Sequence, residues 1–420
     1  MTDPHAMPTS EIDLTQRSIY TSGVPHDLFT ELRSIGAVVR HPAVDVLGAD
    51  DFGFWSVVRH AEAQHANRDW ETFTAVDGPG IAPQPIYRDA EMIVAFDPPE
   101  HTRIRRLLSA GFTPRMVARL EADIERRSEQ ILDDVMARGH DVIDFVSEIA
   151  HELPMHVIAD IVGIPDADRA QVFEQTDVLL RSFDPDSNLD EEKAMAAQLG
   201  LFEYATQLAA EKRQHPTDDI WTQLTRAEVV DDDGHATRLT DHQLDAFFMI
   251  LSVAGSETTR NAISQGILAM AEQPEQFRLL RSEPDLVVPG ADEVLRWSSP
   301  VLYFSRTATC DTELGGAHIE KGDRVAIWYP SANRDEEVFA DPFRFDVRRT
   351  PNPHVAFGGG GAHYCLGANL AKKEIQVMLG ALSRRFDRID VTAPPEWIGL
   401  GPVHNVGVSL LSLSVQLVEG

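Results

Sequence analysis

The sequence predicts a mainly α-helical fold with a minor β part. Three observations carry this: apolar residues recur at helical spacing in segment after segment from Pro114 onward, strand-like runs are few and late, and one helical pattern is long enough to cross the molecule.

After Pro114, residues Met116, Leu120 and Ile124, then Ile131 and Val135, fall on one helix face. Helical patterning also covers Glu148 to Val162, punctuated by Pro154 and Pro165, and Ala167 to Leu180. Thr240 and Gln243 have the form of a capping box, in which each side chain satisfies the other's backbone N–H, and apolar residues then run to Pro274. Thirty-odd residues at ~1.5 Å each make a rod of about 50 Å. Strand signals cluster in Leu302 to Thr309 and Arg324 to Trp328, with turn signals at Gly315-Gly316 and Lys321-Gly322-Asp323 between them. A last helical pattern runs from Ala368 to Leu379. No internal repeat interrupts this order, so a single domain over residues 1–420 is expected, with residues 1–27 as an N-terminal extension.

With 420 residues and 43% hydrophobic content the chain can bury a large core. A formal charge of -30 repels phosphate, which disfavours nonspecific binding to nucleic acid or anionic lipid and favours an apolar small molecule or a protein as partner. The stretch from Met1 to Gln16 is polar, unlike a signal peptide or membrane anchor, and the longest apolar run, Ala246 to Gly255, is too short to span a bilayer. A cytoplasmic protein is expected. Cys310 and Cys365 are too few for a disulfide framework or an all-cysteine zinc site, so any role for cysteine is played singly.

Two segments break local rules in ways that point to chemistry. The long helical pattern carries Ala254-Gly255-Ser256-Glu257-Thr258-Thr259 at its middle, where glycine and paired threonines oppose helix propensity and an acid interrupts an apolar run. Near the C-terminus stands Phe357-Gly358-Gly359-Gly360-Gly361-Ala362-His363-Tyr364-Cys365-Leu366-Gly367, followed by the last helix. Glycines let backbone approach a flat ligand, and a cysteine just before a helix has amides nearby to stabilise its thiolate. Such a cysteine is a metal ligand or a reactive thiol.

This segment resembles the haem-binding loop of cytochromes P-450, usually Phe-Gly-x-Gly-x-His-x-Cys-x-Gly. It departs from that pattern in length: Phe357 lies eight residues before Cys365 where seven is commonest, a spacing shared with some actinobacterial members. Other motifs follow in the family's order. Glu293-Val294-Leu295-Arg296 is similar to the Glu-x-x-Arg of one family helix, and Asp341-Pro342-Phe343-Arg344-Phe345 resembles the segment that supplies a second arginine, here Arg344, to that ion pair. Ala-Gly-x-Glu-Thr resembles the oxygen-activating motif.

The resemblance, which spans nearly the whole chain, implies a cytochrome P-450 fold: a triangular helical prism with haem between a long central helix and the helix after the cysteine loop. Cys365 would be the iron ligand in haem b, with Phe357, Gly358, His363 and Gly367 around it. Thr258 would hydrogen-bond the oxygen species, Glu257 would relay protons, and Ala254 and Gly255 would leave room for dioxygen. His101, Arg105, Arg306 and His363 match positions that bind the haem propionates. The bland alternatives are a threonine bonding back to its own helix, an acid in a surface pair, and ordinary surface charges.

The implied reaction is monooxygenation of an apolar substrate, with electrons from NAD(P)H through a ferredoxin reductase and a ferredoxin. Arg103, Arg105, Arg106, Arg115, Arg119, Arg126 and Arg127, with Lys372 and Lys373, would form the docking face; a solvated charge set is the alternative. A peroxide-driven peroxygenase and a non-enzymatic haem sensor are rival readings that would not need the Glu257-Thr258 pair. Candidate pocket segments are Thr72 to Val94, Leu179 to Leu201, Phe247 to Ser252, Val301 to Phe304 and Val403 to Val406, with Phe247, Met249, Ile250, Val301, Leu302 and Val403 as the lining. The cysteine loop and the Asn-Pro-His before it look closest to members that oxidise sterol side chains or methyl-branched lipids, with terpenoid oxidisers also similar. A monomer without nucleic-acid or membrane partners is expected.

Overall fold

A computed structural model describes residues 9–46, 49–109, 114–184, 186–230, 236–401 and 407–419, and of 43–46, 49–52 and 114–119 only the backbone. Helix makes up 53% of the chain. The elements that place the site are, in chain order, β1 (Val38–Val46), β2 (Ala49–Val57), α1 (His60–Arg68), β3 (Phe73–Thr74), α2 (Glu100–Ser109), α3 (Pro114–Ala137), α4 (Glu152–Val162), α5 (Asp166–Ser182), α6 (Glu191–Gln214), α7 (Asp241–Glu272), α8 (Val287–Ser298), β4 (Tyr303–Ala308), β5 (Arg324–Trp328), α9 (Ala368–Arg385) and β6 (Val408–Ser412).

Helix α7 is the spine. Thr240 Oγ1 accepts from the Gln243 N–H at 3.0 Å and Gln243 Oε1 accepts from the Thr240 N–H at 3.2 Å, which closes the capping box. The helix runs 32 residues, about 48 Å, and ends before Pro274, which opens the next helix. It is buried on nearly every side because α4, α6, α8 and α9 all pack on it. Helix α3 buries Leu120, Ile124, Ile131 and Val135 against α4 and α9, so its expected apolar face is the one it uses.

The strands form a sheet in the order β1-β2-β5-β4-β3, antiparallel except that β5 runs parallel to β2, with Arg324 opposite Phe54 and Val325 opposite Trp55. Strands β4 and β5 match the late strand signals. The hairpin β1-β2 does not, since Pro42 and Asp45 dilute its alternation.

The N-terminal segment is no appendage. Leu14 and Tyr20 are fully buried in a second core with Phe29, Phe54, Tyr303 and Trp328, Tyr20 donates its hydroxyl to Leu14 O at 2.9 Å, and Arg17 reaches Gly399 O at 2.7 Å. The extension expected over residues 1–27 is therefore corrected for its described part: residues from Ser10 onward belong to the packed body. Among the described residues no helix is long and apolar enough to cross a membrane.

Candidate active site

The cysteine loop is shaped by its glycines. Gly358, Gly359, Gly360 and Gly361 all have positive φ, between 65° and 112°, where a Cβ is strained. At Gly361 space forbids one as well, because a Cβ would lie 2.4 Å from the Asn67 carbonyl oxygen. The loop is seated on the end of α1, where Arg68 Nε donates to Gly359 O at 3.1 Å. It closes where the Cys365 N–H donates to Phe357 O at 3.1 Å, and α9 starts three residues later. The Cys365 side chain is accessible in the free chain but deeply enclosed. Burial pushes its thiol up, while the Gly367 amide and the Arg105 guanidinium act the other way and favour the thiolate.

Beside it four cation-forming groups converge from three elements: His101 and Arg105 of α2, Arg306 of β4, and His363 of the loop. The His101 and His363 rings are 4.3 Å apart, and Arg306 is buried with one guanidinium nitrogen donating to Ser305 O at 2.8 Å. Burial pulls His101 down to about 4, assisted by Arg105 and Arg306 and opposed by Asp97. His363 is held well below the usual histidine value by burial, then by Arg306, His101 and Arg105, and its Nε2 is buried with no partner. Burial also lowers Arg105 and Arg306. Asp97, the acid that acts on both His101 and Arg306, is committed to the Thr74 hydroxyl and the Ala75 N–H. A desolvated pocket with two guanidinium cations, two neutral histidine rings able to donate and one committed acid favours an added anion. It suits the two propionates of a haem.

The opposing surface is α7. Within this buried helix Ile250, Leu251 and Thr258 keep partial exposure and Ala254 is exposed, a stripe at spacings of three and four. Ala254, a small residue, stands at the middle of that stripe, and α9, the helix that follows the cysteine loop, packs against the same helix. At Gly255 a Cβ would lie 3.0 Å from Ile158 Cδ1, so the missing side chain also lets α4 approach. Thr258 Oγ1 donates to Ala254 O at 2.7 Å. Glu257 Oε1 accepts from Arg260 Nη2 at 2.6 Å and from Ser409 Oγ at 2.8 Å, leaving Oε2 buried without a partner. Of the expected pocket lining, Ile250 and Val301 are partly accessible. Phe247, Met249 and Leu302 are buried, packed in the cores, and Val403 lies outside the described residues. Gly78 to Ala82, inside the expected pocket loop, are buried too, clamped by Arg324 through the carbonyls of Gly78, Gly80 and Ile81.

The ion pair of α8 is fully buried: Arg296 donates to both oxygens of Glu293 at 2.8 Å. Its expected third member is corrected. Arg344 is exposed and offers only its carbonyl, to Arg296 at 3.2 Å, whereas Arg349 Nε donates to Glu293 Oε2 at 3.1 Å and Asn352 Nδ2 donates to the same oxygen at 3.1 Å. Three arginines, Arg344, Arg348 and Arg349, fall within residues 344–349, and nothing local in the sequence ranks Arg349 above Arg344.

The basic run is largely spent. Arg103 pairs with Glu100 at 2.6 Å, Arg126 with Asp123 at 2.8 Å, Arg127 with Asp160 at 3.3 Å, Lys372 with Asp292 and Lys373 with Glu121, both at 2.7 Å. Arg106 is exposed and has no acidic partner among the described residues; the side chains of Arg115 and Arg119 lie outside them.

The family model for cytochrome P450 matches residues 63–396. The chain belongs to the cytochrome P450 family. It is 39% identical over 413 residues to the methyl-branched lipid omega-hydroxylase of Mycobacterium tuberculosis, covering 96% of this chain and 95% of that one. It is 38% identical over 405 residues to the steroid C26-monooxygenase of the same species, covering 94% and 90%. Among solved structures, a Mycobacterium marinum cytochrome P450 in complex with pseudoionone superposes with a TM-score of 0.88 at 37% identity, covering 98% of this chain and all of that one. The expected fold is thereby established. As a bacterial P450 the protein is a monooxygenase whose cofactor is haem and whose reducing equivalents come from NAD(P)H through redox partners.

Proposed function

We propose that this P450 hydroxylates an apolar sterol side chain, methyl-branched lipid or terpenoid at a site where Cys365 holds the haem iron and His101, Arg105, Arg306 and His363 hold its propionates. The observation that carries the reading is the gathering, beside one accessible cysteine, of Arg105, Arg306, His101 and His363 with no uncommitted acid among them, together with an accessible stripe on α7 that has Ala254 at its middle. Named relatives support the substrate class: one is called a methyl-branched lipid hydroxylase, another a steroid monooxygenase, and a Bacillus megaterium P450 at 30% identity is seen in complex with corticosterone. The balanced reaction is R–H + O2 + NAD(P)H + H⁺ → R–OH + H2O + NAD(P)⁺.

Bound haem supplies the oxygen chemistry, assisted by thiolate electron donation. The chain supplies position and protons. With its proton committed to Ala254, the Thr258 hydroxyl is left as a hydrogen-bond acceptor at the stripe. Glu257, one residue away, keeps a free carboxylate oxygen able to take and give a proton. The partly accessible Ile250, Leu251 and Val301 offer an apolar guest contact without unpaired polar groups.

We assign electron delivery to a ferredoxin with its reductase, which points to a cytoplasmic, monomeric, one-domain enzyme working where NAD(P)H is available. The test is spectral: the reduced carbon monoxide complex should show the strongly red-shifted Soret band of thiolate ligation, lost in Cys365→Ser and kept when Cys310 is replaced. A globin-like band in fresh protein overturns the assignment. Binding titrations with sterols, branched fatty acids and terpenoids then rank the guests.

A further inference from the structure

Asn352, Pro353 and His354 precede the cysteine loop, and each is fastened to another element. Asn352 Nδ2 donates to Glu293, the Pro353 carbonyl oxygen lies 2.7 Å from His60 Nε2, and His354 Nε2 lies 3.4 Å from Asp292 Oδ1. The Ala356 N–H points to His354 Nδ1 at 3.3 Å, so Nδ1 accepts and Nε2 donates to Asp292. The same Asp292 oxygen receives Lys372 Nζ of α9 at 2.7 Å. Around this group lies the Phe357 ring, its centroid 5.8 Å from the His354 ring, 6.1 Å from the Tyr364 ring and 5.8 Å from Lys372 Nζ. The carbonyl of that phenylalanine is the one that accepts from the Cys365 N–H.

Lys372 and Asp292 are each about a third exposed, at 30% and 31%, and the His354 side chain is 5% exposed. Burial alone would raise the Asp292 carboxyl, but hydrogen bonds from His354 and Lys372 outweigh it and keep the group ionised. One positive and one negative charge therefore balance beside the loop. Removing either partner leaves the other uncompensated in a partly desolvated place, where its field reaches further than in water.

We propose that Lys372 and Asp292 form a matched charge pair, coupled to the thiolate loop through Phe357 and His354, that sets the reduction potential of the iron. This rests on Cys365 being the ligand. Reduction adds one electron to the iron, so an unbalanced cation nearby favours it and an unbalanced anion opposes it. Both residues are positioning residues, since neither touches substrate or cofactor.

The test is an equilibrium reductive titration of the haem-loaded protein and its variants, with the carbon monoxide spectrum recorded for each. Lys372→Met, which keeps the stem and deletes the charge, should lower the potential, a several-fold fall in the equilibrium constant for reduction. Asp292→Asn should raise it, Lys372→Arg should leave it near the wild-type value, and the double variant Lys372→Met with Asp292→Asn should return towards it. Both single shifts should shrink as salt rises. A wild-type spectrum without the thiolate band overturns the ligand reading and this proposal with it. A normal band with both single variants shifting in the same direction, or with neither shifting, overturns the charge pair alone, and a purely structural role for these residues is then the outcome.

Discussion

Arg349 Nε donates to Glu293 Oε2 at 3.1 Å, completing a knot that Arg344 joins only by its carbonyl. The Glu293 and Arg296 side chains have no exposure and that of Arg349 has 11%, so the carboxylate depends on this second guanidinium for full pairing. Arg349→Met should cost about 3 kcal/mol, the order found when one partner of a buried pair is removed. Arg344→Ala should stay within about 0.5 kcal/mol, as for an ordinary surface change. Denaturant unfolding of the two haem-loaded variants decides it, and equal losses would place the two arginines on a par.

Thr258→Ala should keep haem and substrate binding while product formed per NAD(P)H consumed falls at least about tenfold, with peroxide appearing instead. The hydroxyl's loss also removes a bond back to Ala254, but an alanine helps the helix, so folding is not the cause. Coupling that stays at the wild-type level would confine Thr258 to the backbone role its hydrogen bond shows.

Reversing Arg106 to Glu should slow reduction by the ferredoxin roughly tenfold at low salt, and the defect should fade as ionic strength rises. The same reversal at Arg126 should do less, because Asp123 already neutralises it. Stopped-flow reduction at several salt concentrations reads both. A normal rate for the Arg106 variant at low salt would put the docking site elsewhere.

The protein should lose stability in mild acid partly through His41. This side chain is buried, stacks on Phe54 at 4.7 Å with Nδ1 3.0 Å from Ile12 O, and burial pulls its pKa down to about 4, with the Ile12 carbonyl and Asp13 resisting and Arg40 assisting. Unfolded, it protonates near 6.5, so between those values the unfolded chain binds the extra proton. Its contribution, about 3 kcal/mol at full extent, is present above pH 6.5 and lost as pH falls towards 4. His41→Phe, which keeps the stack, should flatten the stability curve over that window; a parallel curve would refute the account.

Much of this was readable from residue order. The Thr240 capping box and Pro274 bound the spine correctly because both signals are local, and the cysteine loop stood out through an unusual density of glycine next to one thiol. What stayed hidden depends on partners distant in sequence. Strand β2 is half of a parallel pair whose other half, β5, lies some 270 residues on. The extension expected over residues 1–27 is packed in its described part because Leu14 and Tyr20 meet Phe54 and Trp328, partners that lie far along the chain. Arg103, Arg126 and Arg127 read as one basic surface because a sequence counts charges without showing their acids.

The seating of the long cysteine loop on α1 has a consequence for protein engineering. With Gly361 pressed to 2.4 Å of the Asn67 oxygen in Cβ terms, and Arg68 bonded to the Gly359 carbonyl, the loop and the last turn of that helix are two halves of one interlocking part. Transplanting the shorter loop of another family member would leave Arg68 reaching for an oxygen that has moved, and transplanting this loop into such a member would drive it into whatever side chain stands there. A working chimera has to exchange both pieces together.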